Sequence, residues 1–302
     1  MISKIDPQIS VILVNYNGKA FIEECLDPLV QDPGAERMEI LVVDNGSRDG
    51  SPELINQKYP EVKLIKNTEN RGYAWANNQG IKAAGGEYIL LLNTDTAVRP
   101  GVFFELLEIL RSDKNAGAVG PLLYFDESKY QVSFGNKVDF IHEMLQKSIL
   151  NFVYKRRLRS LSQNLYVGWL SGACMMIAKR ALEEVGLFDD NFFLYFEDID
   201  LCYRLRKKKY KLIFTPLVKV YHKGGGSSSA DSLKNRFYYR QSQLYFYRKH
   251  NSKLSLFLLK TYLSFIFFLS YLKSLLFREN KVKEKKNFFK LLRKSNRKEN
   301  RY

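Results

Sequence analysis

The chain has 302 residues, of which 45% are hydrophobic and 26% charged, so it is long and apolar enough to bury a full core in roughly two domains. Its three cysteines are an odd number without a C-x-x-C pair, which argues against a disulfide framework or a structural zinc site and favours a reducing, cytosolic location: Cys25, Cys174 and Cys202. The net charge of +16 is unusual and implies an anionic partner, namely nucleic acid, a membrane surface or phosphorylated substrates.

Short apolar runs alternate with helical patterns through the first 125 residues. Two features predict the start of a helix. Ser51 precedes a proline that would lie in the first turn, and Pro100 precedes a run over residues 102–110 in which apolar residues recur at helical spacing. The first apolar run is too short for the apolar region of a signal peptide. The alternation predicts an α/β domain with a Rossmann-like, mostly parallel sheet flanked by helices. Four runs are predicted strands: residues 9–14, 39–43, 62–65 and 88–92.

The middle of the chain, roughly residues 126–166, is less regular. It contains a basic cluster at residues 155–159, which suits an acceptor-binding insertion or a mobile loop. Order returns with a predicted strand at residues 173–178. The glycine-serine run at 224–229 predicts a flexible stretch that ends the catalytic part of the chain.

Residues 254–277 are strongly apolar and aromatic, but Lys260 and Lys273 interrupt them. The uncharged run at 261–272 is shorter than the roughly 20 residues that a spanning helix needs. An interfacial helix is therefore the preferred interpretation, with a short or tilted span and a buried core helix as alternatives. The following residues 278–302 carry eleven Lys or Arg and three Glu, which is half of the net charge and suits an anionic membrane.

Polar residues follow three of the predicted strands: Asn15 and Asn17 after the first, Asp44 after the second, and Asn93 and Asp95 after the fourth. In open α/β sheets, ligands bind outside the carboxyl ends of the strands, so these side chains are predicted to line one cleft. Considered singly, each of these three polar segments also has the composition of an ordinary turn.

Asp95 follows a five-residue apolar run, so its carboxylate should have a fixed direction at the sheet edge. Mg²⁺ and Mn²⁺ favour oxygen ligands and commonly bridge one or two carboxylates to substrate phosphates. His222 ends a strand-like run before the glycines and is a candidate second ligand, which would favour manganese somewhat; a histidine that only caps a loop is the alternative.

The segment 197–206 has the pattern of a helix with acids in its first turn and cations in its last. Asp200 and Arg204 are spaced to form a pair. Asp198 shares a face with the apolar side chains of this helix, where a carboxylate can accept a proton from a hydroxyl group. The alternative is that these acids only match the helix dipole.

Seven pieces, in this order, carry a resemblance: VILVNYNG, VVDNGSRDGS, NRGYAWANNQG, LLLNTD, WLSGACMMI, GLFDDNFFLYFEDIDLCYRLR and YHKGGGS. Together they resemble the family 2 glycosyltransferases with the GT-A fold, over roughly residues 9–229. The segments VDN and FEDIDLC are similar to the corresponding segments of the rhamnosyltransferase-like branch, whose members extend bacterial polysaccharides. The resemblance implies inverting transfer from a nucleoside diphosphate sugar to a hydroxyl group, with a divalent cation.

The resemblance also implies residue roles. Asp198 matches the proposed general base of the family, with Glu197 as its rival. Asp95 matches the last residue of the D-x-D motif and His222 the histidine that completes the metal site. The first aspartate of that motif is replaced by Asn93, which puts the strength of metal binding in doubt. Further matches lie in the donor site: Asn15, Asn17, Asp44, Arg71 and Asn77.

The absence of a Q-x-x-R-W motif predicts the addition of one or a few sugars rather than a long polymer. By resemblance, dTDP-rhamnose is the first expected donor, with UDP-hexoses or UDP-N-acetylhexosamines as alternatives, and the acceptor is a lipid-linked surface glycan. The chain is expected in the cytoplasm, peripheral on the inner face of the membrane. A basic membrane- or nucleic-acid-binding protein is the non-enzyme alternative. No zinc-finger spacing or aromatic RNA-binding signature favours nucleic acid as a partner.

The predicted organisation has three parts. Residues 1–229 form the GT-A catalytic domain, residues 230–277 a helical, membrane-proximal extension, and residues 278–302 a basic tail.

Overall fold

The computed structural model describes residues 7–126, 129–146, 160–224 and 232–276. The basic cluster at 155–159, most of the glycine-serine run and the basic segment 278–302 lie outside these residues. The strands are β1 (Ile9–Asn15), β2 (Met38–Asp44), β3 (Lys63–Lys66), β4 (Tyr88–Asn93), β5 (Thr96–Ala97), β6 (Ala116–Asp126), β7 (Lys129–Tyr130), β8 (Phe134–Gly135), β9 (Leu165–Val167), β10 (Trp169–Leu170), β11 (Cys174–Ala178) and β12 (Lys211–His222).

The helices are α1 (Lys19–Val30), α2 (Ser51–Lys58), α3 (Tyr73–Ala83), α4 (Val102–Arg111), α5 (Phe140–Gln146), α6 (Lys179–Val185), α7 (Glu197–Lys207), α8 (Ser232–His250) and α9 (Lys253–Leu276), with a short 3₁₀ helix at Ala35–Arg37. Strands and helices alternate through the first 111 residues, as predicted. The helix predicted at 197–206 is α7.

The main sheet has the strand order β3-β2-β1-β4-β11-β6-β12-β5. Its first four strands are parallel, which confirms the predicted α/β architecture. Strand β11 runs antiparallel between β4 and β6, and β12 is parallel to β6, so the sheet becomes mixed beyond β4. The β12–β6 register shifts between Thr215 and Lys219, where Pro216 cannot donate a ladder hydrogen bond.

The central strands are buried along nearly their whole length, which explains their continuous apolar sequences. Helix α3 packs on β1 and β2, and α4 packs on β6, β11 and β12. The core therefore fixes the position of the carboxyl ends of β1, β2 and β4, where the polar loops begin.

Helices α8 and α9 follow the sheet. Among the described residues, α9 alone is long and apolar enough to cross a membrane, over the window Lys253–Ser270, a property that core helices of soluble proteins also have. The predicted division at residue 229 stays a prediction.

Candidate active site

The polar residues that follow β1, β2 and β4 lie together at one edge of the sheet. Asn15 is the register partner of Asp44 on β2, and Val14 is the partner of Asn93 on β4. Because these strands are parallel neighbours, their carboxyl ends bring the three polar loops side by side. The structure thus places the first group of predicted site residues at one edge.

The loops after β1 and β2 are joined by side-chain hydrogen bonds. Buried Asn15 donates through Nδ2 to Asp44 Oδ1 at 2.8 Å and to Ser51 Oγ at 2.7 Å. Asp44 Oδ2 accepts from the Ser47 amide at 3.0 Å. Asn17, with a left-handed φ of 51°, accepts from the Arg48 amide through Oδ1 at 2.8 Å. The two loops therefore form one rigid wall of the site.

Arg71 and Asn77, both predicted to approach the donor, lie in different environments. The Arg71 guanidinium is exposed and stacks 4.2 Å from the centre of the Trp75 ring. Asn77 is fully buried in α3 and donates to the Tyr73 carbonyl at 2.9 Å. The structure thus places Arg71 at the surface of the site and Asn77 beneath it.

Asp95 and His222 meet at the other side of this edge, since β5 pairs with the end of β12. Asp95 Oδ1 and His222 Nε2 are 3.3 Å apart, and both side chains are largely buried. Gln131 Nε2 donates to the His222 carbonyl, which leaves Gln131 Oε1 to accept from Nδ1 at 2.7 Å. This contact places a proton on Nδ1, and in the neutral imidazole it leaves the Nε2 lone pair available to a metal ion.

The Asp95–His222 pair fits a divalent cation by its chemistry and spacing. Two adjacent ligands of a six-coordinate cation with bonds of about 2.1 Å are roughly 3 Å apart. No group of three His, Cys, Asp or Glu side chains suited to a metal occurs among the described residues. A cation held here would take its other ligands from water and substrate phosphates, the arrangement that Mg²⁺ and Mn²⁺ commonly use.

Asp198 lies in the first turn of α7, opposite the loop that precedes β11. Its Oδ2 accepts from the Gly172 amide at 2.8 Å, and a Cβ on Gly172 would lie only 3.2 Å from Asp198 Cβ. Burial raises the pKa of Asp198, and the amides of Gly172 and Ile199 oppose that rise. Tyr195 and Phe196, just before the helix, have left-handed φ values of 70° and 68°, a strained backbone of the kind found at functional sites.

Glu197 is more deeply enclosed than Asp198. Its side chain is buried, and Oε2 has no hydrogen-bond partner. Burial and then the neighbouring Asp198 carboxylate raise the pKa of Glu197 well above its ordinary value. Of the two rivals, Asp198 is therefore better placed to carry a negative charge, because the amides of Gly172 and Ile199 donate to its carboxylate.

Tyr73, which sequence reasoning missed, joins the two halves of the site. Its hydroxyl lies 3.0 Å from Asn93 Oδ1 and 3.2 Å from the carbonyl oxygen of Gly172, the residue whose amide holds Asp198. Asn93 Nδ2 in turn lies 3.3 Å from His222 Nε2. Burial and the negative charges of Glu197, Asp198 and Asp95 raise the pKa of Tyr73. A continuous series of contacts thus links Asp95 to Asp198.

Replacing Tyr73 with phenylalanine should lower kcat about three- to tenfold, since one hydrogen bond contributes about 0.5–1.5 kcal/mol. The donor KM should change little because the hydroxyl positions Gly172 and Asn93. Tyr59→Phe is the matched control, because it removes a hydroxyl group that donates to Asp27 of α1 at 2.6 Å. Steady-state kinetics measure kcat and KM of both variants, and thermal unfolding measures their loss of stability. Equal kcat values for the two variants at equal loss of stability would refute a positioning role.

Helix α8 contacts α7 through a buried charged cluster. Asp200 pairs with Arg204 at 2.8 Å, as predicted, and also with Lys249 and His250 of α8, each at 2.7 Å. Burial raises the pKa of Asp200, but the His250 hydrogen bond and the Arg204 charge outweigh it and hold this pKa at about 2. These long-range partners of α7 were not predicted from the sequence.

Comparison with known proteins adds a family to this geometry. The model of a family described as glycosyl transferase family 2 matches residues 10–186. The N-acetylglucosaminyl-diphospho-decaprenol L-rhamnosyltransferase of Mycobacterium tuberculosis is 29% identical over 243 residues, which cover 74% of this chain and 78% of that protein. The poly-beta-1,6-N-acetyl-D-glucosamine synthase of Staphylococcus epidermidis is 28% identical over 212 residues, which cover 69% of this chain and 48% of the synthase.

Two solved structures share the fold. A mannosyltransferase from Pyrobaculum calidifontis, solved in complex with GDP-Man and Mn²⁺, superposes with a TM-score of 0.58 at 19% identity and covers 82% of this chain and 65% of that one. GalNAc-T7, solved with UDP, GalNAc and Mn²⁺, gives 0.57 at 18% identity and covers 80% of this chain and 48% of that one. The predicted GT-A fold is thereby confirmed.

Proposed function

The chain belongs to glycosyl transferase family 2, and we propose that it is an inverting, metal-dependent transferase that moves a sugar from a nucleoside diphosphate sugar to a hydroxyl group of a lipid-linked surface glycan. The observation that carries this proposal is the series of contacts from Asp95 through His222, Asn93, Tyr73 and Gly172 to Asp198. It supports Asp198 as the base and the Asp95–His222 pair as the cation site of one active site.

The proposed reaction is a single in-line displacement. The acceptor oxygen forms a bond to the anomeric carbon while the bond from that carbon to the diphosphate oxygen breaks. Asp198 takes the proton of the acceptor hydroxyl, and the hydrogen bond from Gly172 holds its carboxylate in place. A divalent cation, held by Asp95 and His222, supplies charge stabilisation to the departing diphosphate when it is bound.

For the donor we propose dTDP-rhamnose first, because the mycobacterial relative is a rhamnosyltransferase that covers most of both chains. A UDP-linked hexose or N-acetylhexosamine is the second candidate, favoured by the similarity to the staphylococcal synthase. The donor would lie against the wall formed by Asn15, Asn17 and Asp44, with Arg71 at its entrance.

A thermal-shift screen of nucleotide sugars with manganese tests the donor. A ligand at a hundred times its Kd stabilises a protein by about 2.7 kcal/mol, so the correct donor should raise Tm by about 5 °C. Arg71→Ala should weaken this response about tenfold in donor concentration, by loss of roughly 1.4 kcal/mol of charge-assisted contact. Arg37→Ala is the matched control, because Arg37 stacks 4.3 Å from the Phe104 ring centre in the same manner. Protein that ignores every nucleotide sugar would refute the proposal.

The same proposal places the protein in the cytoplasm, peripheral on the inner face of the membrane, since the name of the mycobacterial relative gives the lipid-linked sugar N-acetylglucosaminyl-diphospho-decaprenol as its acceptor. Residues 1–229 would act as the catalytic domain, 230–277 as a membrane-proximal extension, and the basic segment 278–302 as an attachment to anionic lipid. The positive charge would serve anionic lipid and phosphorylated donors, and no nucleic acid is proposed as a partner.

A further inference from the structure

Helices α5 and α9 expose large apolar side chains to solvent. On α5, Ile141 is 64% and Leu145 47% exposed, and their spacing of four residues places them on one side of the helix. On α9, the exposed side chains include Leu254, Phe257, Phe265 and Phe268, at 49–66%. Contiguous exposed apolar surface of this kind marks an interaction site in a soluble protein.

The two helices lie against each other, so we treat their exposed apolar side chains as one surface. The rings of Phe140 and Tyr262 meet edge to face with centres 6.0 Å apart. The Phe140 amide donates to Ser255 Oγ at 3.3 Å. We call this surface the apolar face: Ile141, Leu145, Leu254, Phe257, Phe265 and Phe268.

The opposite side of α9 is held by the protein. Leu259 and Leu263 are at most 1% exposed and belong to the main core. If those turns stay on the body, the described residues beyond them, 264–276, would reach about 20 Å into a bilayer. A hydrocarbon core is about 30 Å thick, so this length does not span it.

We propose that the apolar face docks on an anionic lipid bilayer, with α9 lying in the plane of the interface rather than across it. This inference deepens the proposed function and depends on it only to explain why the protein would dock. The charge identifies the occupant: Lys253 and Lys260 lie along α9, and the chain continues into residues 278–302 with eleven Lys or Arg against three Glu. Apolar contact beside cationic residues is the combination that binds anionic phospholipid.

Polar contacts couple the apolar face to the catalytic helix. Buried Glu143 of α5 accepts from Gln243 and Tyr247 of α8. At the end of α8, Lys249 and His250 pair with Asp200 of α7, which is two residues from Asp198. Docking therefore orients the cleft relative to the membrane, and a lipid-linked acceptor would meet Asp198 at a fixed height.

Flotation of the full-length protein with vesicles tests this docking. The vesicles are phosphatidylglycerol and phosphatidylcholine in equal parts, compared with phosphatidylcholine alone. We expect binding to the anionic vesicles, weakened at least about tenfold by Phe257→Ser with Phe268→Ser, because serine removes the apolar side chains that would enter the interface. Ile141→Ser with Leu145→Ser should also weaken binding about tenfold. Leu217→Ser, at an exposed leucine on β12, is the matched control and should bind as the wild type does.

Three outcomes would overturn the proposal: wild-type protein that does not float, an α5 variant that binds like the wild type, or a control that loses as much as the α9 variant. Thermal stabilisation by nucleotide sugar, measured on the same variants, separates this failure from failure of the transferase proposal. Unchanged stabilisation also shows that the variants are folded.

Depth measurements test the orientation of α9. Phe257→Trp and Phe268→Trp place a fluorophore on nearly the same side of the helix at points about 16 Å apart along its axis. In vesicles with lipids brominated at graded depths, an in-plane helix gives both positions the same shallow depth. A depth difference close to the full separation would show that α9 spans or inserts end-on, and the proposed orientation would be wrong.

Discussion

Asp198→Asn is expected to lower kcat by about 10²–10⁴-fold, the usual contribution of a positioned general base. The amide keeps the shape of the side chain but cannot take a proton from the acceptor hydroxyl. Donor binding should stay nearly intact, because Asp198 bonds to Gly172 and Ile199 rather than to the loops after β1 and β2. Single-turnover kinetics with donor affinity from calorimetry measure both quantities.

Glu197→Gln is the control that separates the two neighbouring carboxyls. Burial and the Asp198 charge raise the pKa of Glu197, which favours its protonated form, and glutamine is close to a protonated glutamate in shape and charge. We expect this variant to keep kcat within about tenfold of the wild type, the cost of one altered hydrogen bond. If Glu197→Gln were inactive and Asp198→Asn active, the roles would be reversed.

The pH profile gives a second measure of the base. Asp198 must be ionised to act, so kcat falls as the pH is lowered through its pKa. Because burial raises the pKa of Asp198, the acidic limb should lie above the ordinary aspartate range near pH 4 and should persist in Glu197→Gln. A limb in the ordinary range would show that Asp198 is solvated during turnover.

Most of the strands that the sequence predicts are buried on both faces; the exception is β3, an edge strand whose residues are half-buried or exposed. The runs of β1, β2 and β4 are continuous, apolar and bounded by turn residues, so length and composition are enough to identify them. Strand β6 has no such pattern, because Gly117, Gly120 and Pro121 weaken it. In the fold, Gly117 leaves room for Tyr210 and Gly120 for Leu170. Those contacts depend on residues far along the chain and are not visible in a local pattern.

The candidate site likewise contains residues that the sequence predicts and residues that it does not. Asp44 and Asp95 follow predicted strands, and Asp198 begins a predicted helix, so sheet topology alone suggests that they converge. Tyr73 and Gln131 act through hydrogen bonds to partners about 90 or more residues away, Gly172 and His222, which no periodicity encodes. Asn77 lies in a motif of the family but is buried, since it is on the face of α3 that packs on the sheet.

Asp95→Ala is expected to abolish the effect of manganese on donor binding and to lower kcat/KM at least about 10²-fold. The variant removes the carboxylate of the pair formed by Asp95 Oδ1 and His222 Nε2 at 3.3 Å. Charge stabilisation by a bound cation contributes several kcal/mol, and 1.4 kcal/mol corresponds to a tenfold change. Calorimetric titration of the nucleoside diphosphate, with and without manganese, measures the loss directly.

Glu105→Ala provides the control, because it removes one carboxylate of equal charge that pairs with Arg99 on the exposed side of α4. Its donor affinity should respond to manganese as the wild type does. The replacement of the first motif aspartate by Asn93 makes this comparison decisive: the Asn93 amide contacts His222 and Tyr73 but brings no charge to hold a cation. If Asp95→Ala kept the full manganese effect, the cation would be bound elsewhere, and Asp95 and His222 would form a structural pair instead.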